Sequence, residues 1–299
     1  MKFDIQEYAN KTMEELDFPK EAIDGLNHNL SIILENEEAK KIFENNIDKY
    51  EENINLNYDE VLKDMDKVAE ITGVHKFKTE FLVFLVFSKH LKDVYIQNKV
   101  DLKIWHDSMS DLKWKLLECK AVKNMWGSFV AWWFPGFFNF TRFALGRLQF
   151  EIVKFGEEYS ENGKTLTKDS KVINIHIPRT CTPMDKESCD NAYSQAKEFF
   201  KDQLDGAPVA FVCFSWLLYP DNDKVLPEKS NVRRFKSQFT IVKQYDDKEG
   251  QRPDMWRLFD MDYTGDPYDF PGDSSLRRAF KNHLINNGKT GEGYGVFFA

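Results

Sequence analysis

The sequence is poor in the features by which chains usually meet nucleic acid, membranes or metals. It has no run of five or more basic residues, its formal net charge is -8 and its pI is about 5.4, so neither the total field nor a local patch draws nucleic acid or anionic lipid. The four cysteines, Cys119, Cys181, Cys189 and Cys213, form no C-x-x-C pair and no short ligand spacing. Reduced thiols are therefore expected, with no disulfide and no bound metal. No apolar run reaches the roughly 20 residues of a membrane span. Residues 81–87 are too few, and residues 129–145 are broken by Pro135, Gly136, Asn139 and Arg142. Residues 1–9 carry Asp4 and Glu7 and lack an apolar leader core, so a cytoplasmic location is expected. Neither G-x-S-x-G nor H-E-x-x-H occurs, which removes the local signatures of serine hydrolases and zinc proteases.

What is present is hydrophobic mass, 42% of residues, with 26 Phe and 7 Trp, enough to fill a large core. Up to about residue 125 apolar positions recur at three and four, as in Val61, Leu62, Met65, Val68 and Ala69, and this spacing predicts five or six helices. Asn57 with Glu60 forms a capping box, Pro19 opens a helix and Gly73 closes one. Past about residue 140 short β-branched and aromatic runs take over: 148–153, 172–177, 209–218 and 239–242. A helix over 188–204 connects the second and third, which allows those strands to be parallel. A last helix over 276–285, capped by Asp273 or Ser274, precedes a closing strand over 294–298. The expected fold class is α+β: a helical domain over 1–140 packed on a mixed-sheet domain over 141–299.

Several motifs read better as structure. Gly288, Lys289 and Thr290 imitate a phosphate loop, but His283 stands where its first glycine belongs, and Gly291, Gly293 and Gly295 are expected to serve a tight turn. Asp260, Asp262 and Gly265 begin like a calcium loop, yet Pro271 replaces the bidentate Glu. With Asp266 and Asp269 the same loop could house a glycosidase carboxylate pair or be plain turn chemistry. The aromatic stretch of Trp126, Phe129, Trp132, Trp133, Phe134, Phe137, Phe138, Phe140 and Phe143 suits an interdomain core or a pocket wall. His176 stands out, because strand alternation sets Asn174 and His176 on one face and Ile173, Ile175 and Ile177 on the other. It is either a satisfied structural histidine or a group aimed into a cleft.

Four phrases, VINIHIP at 172–178, CFSWLLYP at 213–220, LPEKSNVRRF at 226–235 and SSLRRAF at 274–280, occur in order. Together they resemble a bacterial family of acyltransferase domain-containing proteins with a helical N-terminal domain and a C-terminal domain similar to the GNAT superfamily. The resemblance implies acyl-coenzyme A as co-substrate, a small-molecule amine as acceptor, and a cofactor lying where two parallel strands part. The matching strand includes Cys213, Phe214 and Ser215, and the helix start receiving the pyrophosphate lies near Lys229, Ser230 and Asn231. In this setting His176 is the expected general base and Tyr219 the expected acid. The sequence departs from the superfamily in having no Q/R-x-x-G-x-G/A loop, and residues 220–231 contain no glycine. A second reading is therefore a non-enzymatic binding module on a GNAT-like scaffold that has lost coenzyme A.

Overall fold

In a computed structural model of the chain the described residues are 3–180, 182–204 and 206–299. Cys181, expected as a free thiol, lies outside them. The chain divides into two compact units, Met1–Ala144 and Leu145–Ala299.

The first unit is helical: α1 Ile5–Glu15, α2 Lys20–Glu35, α3 Glu37–Glu52, α4 Tyr58–Thr72, α5 Lys76–Gln97, α6 Leu102–Lys123 and the single turn α7 Pro135–Phe138. Side chains of Asp4, Asn36, His75 and Asp101 accept first-turn N–H groups of α1, α3, α5 and α6, and Gly73 ends α4 at a left-handed φ of 72°. Asn57 departs from the expected box. Its amide donates to Glu60 Oε1 at 3.0 Å and caps no backbone N–H. Helix α5 packs against α1 to α4 and α6, and is buried on all sides over Phe81, Leu82, Val83, Phe84, Leu85, Val86 and Phe87. The apolar run is thus a core helix. Phe134 and Phe138 stand 5.2 and 5.0 Å from Phe84, and Tyr50 stacks on Phe87 at 4.3 Å. These rings fill the helical unit's own core, each contributing roughly 1.5–3 kcal/mol by burial; Trp132 stays exposed.

The second unit is built on a six-stranded sheet of order β1-β2-β5-β6-β8-β7. The strands are β1 Phe143–Leu145, β2 Leu148–Lys154, β5 Lys171–His176, β6 Ala210–Ser215, β7 Thr240–Asp246 and β8 Gly291–Phe298. A separate hairpin, β3 Tyr159–Glu161 and β4 Lys164–Leu166, turns at Asn162 and Gly163, both with positive φ. β5 and β6 are parallel and joined by α8 Lys186–Phe200, while β2–β5, β6–β8 and β7–β8 are antiparallel. One face packs Phe150, Phe211 and Phe297 on Tyr193 of α8. On the other, Phe155, Leu166, Val172, Val212 and Val296 form a second cluster. Helices α9 Asn231–Lys236, α10 Trp256–Phe259 and α11 Ser275–Ile285 follow, and α10 and α11 share a third cluster through Phe259, Phe270, Phe280 and Leu284.

Two expectations change. The run 209–218 is a strand only to Ser215, whose Oγ accepts from Leu217 N at 3.2 Å and starts a 3-10 turn over Trp216–Leu218. Gly291, Gly293 and Gly295 are strand residues rather than a turn, and none has positive φ. They are glycines because neighbours come too close for a side chain: a Cβ on Gly293 would lie 2.5 Å from the Leu218 carbonyl oxygen, and one on Gly295 would lie 2.8 Å from Phe239 Cβ. Lys289 and Thr290 bind the carboxylates of Asp246 and Asp247, at 2.9 and 2.5 Å. The acidic loop is likewise occupied by structural bonds. Burial of Asp260 is outweighed by its bonds to Arg179 and Arg277, which hold it below the usual carboxylate range. Asp266 caps Tyr268 N and Asp269 accepts from Thr264. No group of three His, Cys, Asp or Glu suited to a metal occurs among the described residues.

Candidate functional site

The site starts from how the sheet comes apart. The parallel ladder between β5 and β6 has two Cα pairs, Ile173 with Phe211 and Asn174 with Val212. Beyond them β5 runs on through Ile175 and His176, still registered on β2 with His176 opposite Gln149. β6 runs on through Cys213, Phe214 and Ser215, still registered on β8 opposite Gly295, Tyr294 and Gly293. Each strand keeps its outer partner and loses its inner one, so the sheet opens as a V with Cys213–Ser215 along one arm.

At the opening stand three polar side chains. Glu151 of β2 is opposite Asn174 of β5, and His176 is two residues on, so all three share a face. His176 Nε2 and Glu151 Oε1 are 2.5 Å apart, with side chains 18% and 16% exposed. Asn174 Nδ2 lies 3.1 Å from that nitrogen and donates to Glu151 Oε1 at 3.4 Å. The ring is thus held against a carboxyl group while still reachable by solvent. Phe214, in the same alternation as Val212 and hence on this face, is 46% exposed and edge-on to Tyr245 at 5.6 Å.

The structure brings His176 and Asn174 together and adds Glu151, which sequence reasoning missed. Its signal was a lone acid inside LQFEIVK, at a position that alternation assigns to the face of the polar pair. Cys213 is 1% exposed on the opposite face, and burial raises its thiol far above the ordinary value. Ser215 spends its hydroxyl on the 3-10 turn. Lys229 and Asn231 are exposed, and Ser230 Oγ caps α9 by accepting from Arg233 N at 3.1 Å. Arg234 of α9 donates to Met184 O at 2.8 Å, which ties α9 to the residues leading into α8, the helix between the parting strands. Tyr219 stands apart from these residues. It is 2% exposed, and its phenol donates to Asp246 Oδ1 at 2.8 Å on β7, three strands from β5. Burial, then Asp246, drives its pKa far up.

A mixed sheet split between two helix-linked parallel strands is the arrangement of a GNAT-like domain. The sequence agrees. Residues 143–297 match the GNAT-like C-terminal domain and residues 7–140 the N-acyltransferase N-terminal domain, and the chain belongs to the two-domain acyltransferase family they define. Among solved structures, an acyltransferase mutant in complex with octanoyl-CoA is 16% identical, over 98% of this chain and 88% of that one, with a TM-score of 0.74. An acyltransferase in complex with decanoyl-CoA and teicoplanin is 17% identical over the same shares, with a TM-score of 0.72. At these identities the likeness is one of fold. No curated protein matches the sequence. No helix among the described residues is long and apolar enough to cross a membrane.

Proposed function

We propose that the protein transfers an acyl group from acyl-coenzyme A to the amine of a small-molecule acceptor. The observation that carries this reading is the split between β5 and β6, which leaves the inner edge of Cys213–Ser215 without a ladder partner and sets His176 across from it. The pantetheine arm pairs with that edge as a short strand would. The phosphates lie toward Lys229, Ser230 and Asn231, where an exposed lysine adds charge to a helix start and α9 meets the approach to α8. Structural neighbours crystallised with octanoyl-CoA, decanoyl-CoA and teicoplanin support an acyl-CoA donor and a small-molecule acceptor.

In the reaction the amine nitrogen attacks the thioester carbonyl carbon, a C–N bond forms, and collapse of the tetrahedral centre breaks the C–S bond. His176 takes the proton that the nitrogen sheds and returns it to the departing thiolate, giving amide and free thiol. The test is thiol release from octanoyl-CoA or decanoyl-CoA with a panel of primary amines, together with the melting temperature. Acyl-CoA at a hundred times its dissociation constant stabilises by about 2.7 kcal/mol. His176→Ala is expected to keep that stabilisation and to lower turnover by roughly 10²–10⁴-fold. A melting temperature unmoved by any acyl-CoA overturns the reading and favours the binding module without coenzyme A.

A further inference from the structure

We infer that Glu151 is a positioning residue that fixes the proton of His176 on Nε2, so that the base of the ring is Nδ1. The inference rests on the reading of His176 as the proton acceptor in acyl transfer.

Glu151 Oε1 and His176 Nε2 stand 2.5 Å apart. Two atoms that both present lone pairs repel at that distance, so a proton lies between them. An ionised carboxylate can only accept, and the ring therefore donates from Nε2. A neutral imidazole with its proton on Nε2 keeps its basic lone pair on Nδ1. Asn174 Nδ2 lies 3.1 Å from Nε2 because both nitrogens converge as donors on the same Oε1, Asn174 at 3.4 Å, so the carboxylate is steered from β5 as well as from its own strand. Glu151 stands opposite Asn174, and Gln149 opposite His176, in the one antiparallel ladder that continues to the end of β5. The pair is thus built on paired strands, which hold a ring orientation more tightly than loops do. A glutamate at 16% side-chain exposure in mid-strand costs desolvation that an apolar residue would avoid, and its bonding to His176 and Asn174 offsets that cost.

The proton balance follows. When the acceptor nitrogen has bonded to the carbonyl carbon, its N–H bond breaks and a new one forms at His176 Nδ1. The resulting imidazolium keeps its Nε2 proton, and Glu151 stays ionised beside it, stabilising the charge without taking the proton. Glu151 touches no reacting atom in this scheme.

The test reads the ring directly. The full chain labelled with nitrogen-15 histidine is recorded by long-range proton–nitrogen correlation, with His176 assigned by its disappearance in His176→Gln. The expected result is a ring protonated on Nε2 and unprotonated on Nδ1, whose Nε2 proton exchanges slowly. In Glu151→Gln, which keeps shape but removes charge, that proton exchanges at least about tenfold faster, because the charge-assisted bond is lost. With octanoyl-CoA and any amine the wild type turns over, Glu151→Gln lowers kcat at least about tenfold while KM for octanoyl-CoA stays within about twofold. A wild-type ring protonated on Nδ1, or exchange and kcat unchanged in Glu151→Gln, overturns the inference. Absence of turnover by the wild type counts against the acyl-transfer reading alone, since the ring's protonation is read without it.

Discussion

Glu80, on the core helix α5, gives a prediction whose size follows from its surroundings. The residue is 9% exposed, and burial first, then the nearby Asp66 carboxylate, pushes its pKa from the ordinary 4.5 up to about 7, with Lys76 opposing. A raised carboxyl pKa means that the folded unit prefers the protonated form. The stability it carries is fully present below pH 4.5 and is lost as pH rises through 7. At 1.36 kcal/mol per pH unit, the interval between those two values is worth about 3 kcal/mol. Glu80→Gln keeps the shape and cannot ionise. Urea unfolding of both proteins, followed by circular dichroism at pH 5 and pH 8.5, should show the variant gaining on the wild type by about 2.5 kcal/mol across that range. Any constant offset from the amide cancels in this difference, as do all groups common to both chains. A gap that stays the same at both pH values would refute the reasoning.

Three further outcomes follow from the packing. Gly293→Ala drives a Cβ onto the Leu218 carbonyl, backbone against backbone, and should lower stability by about 2 kcal/mol or more, seen as a lower melting temperature. Tyr50→Phe removes the buried 2.7 Å bond from its hydroxyl to Phe138 O and strands that carbonyl, a loss of about 1–2 kcal/mol in urea titration. Cys119, Cys189 and Cys213 are each at most 2% exposed, and burial raises all three thiols, Cys119 to about 11. Peptide mapping after iodoacetamide should find them unmodified in the folded protein and alkylated once it is unfolded.

Helices and strands were legible where burial repeats with a period. Val61, Met65 and Val68 line the buried side of α4, and Val172, Ile173 and Ile175 are the buried positions of β5. His176 was legible for the opposite reason, as a polar residue among isoleucines. The rest depended on tertiary detail that local pattern does not carry. Nothing in the hydrophobic run 209–218 tells that Ser215 ends the strand, because Leu217 and Leu218 are as apolar as the strand before them. The alternate glycines of β8 read as a turn, since sequence does not show that the Leu218 carbonyl, Phe239 and Tyr245 crowd those positions. Glu151 went unremarked until register placed it opposite Asn174. The opening between β5 and β6 is a property of where two ladders stop, and the resemblance to GNAT-like proteins rather than any residue pattern pointed to it.

The most direct test of the central claim is amide hydrogen exchange with and without octanoyl-CoA, because the claim concerns a backbone edge. Ligand should slow exchange in the peptide covering residues 210–215 and in that covering 172–177, with further protection around 229–231. Exchange unchanged in 210–215 while another region becomes protected would contradict a cofactor lying in the split of the sheet.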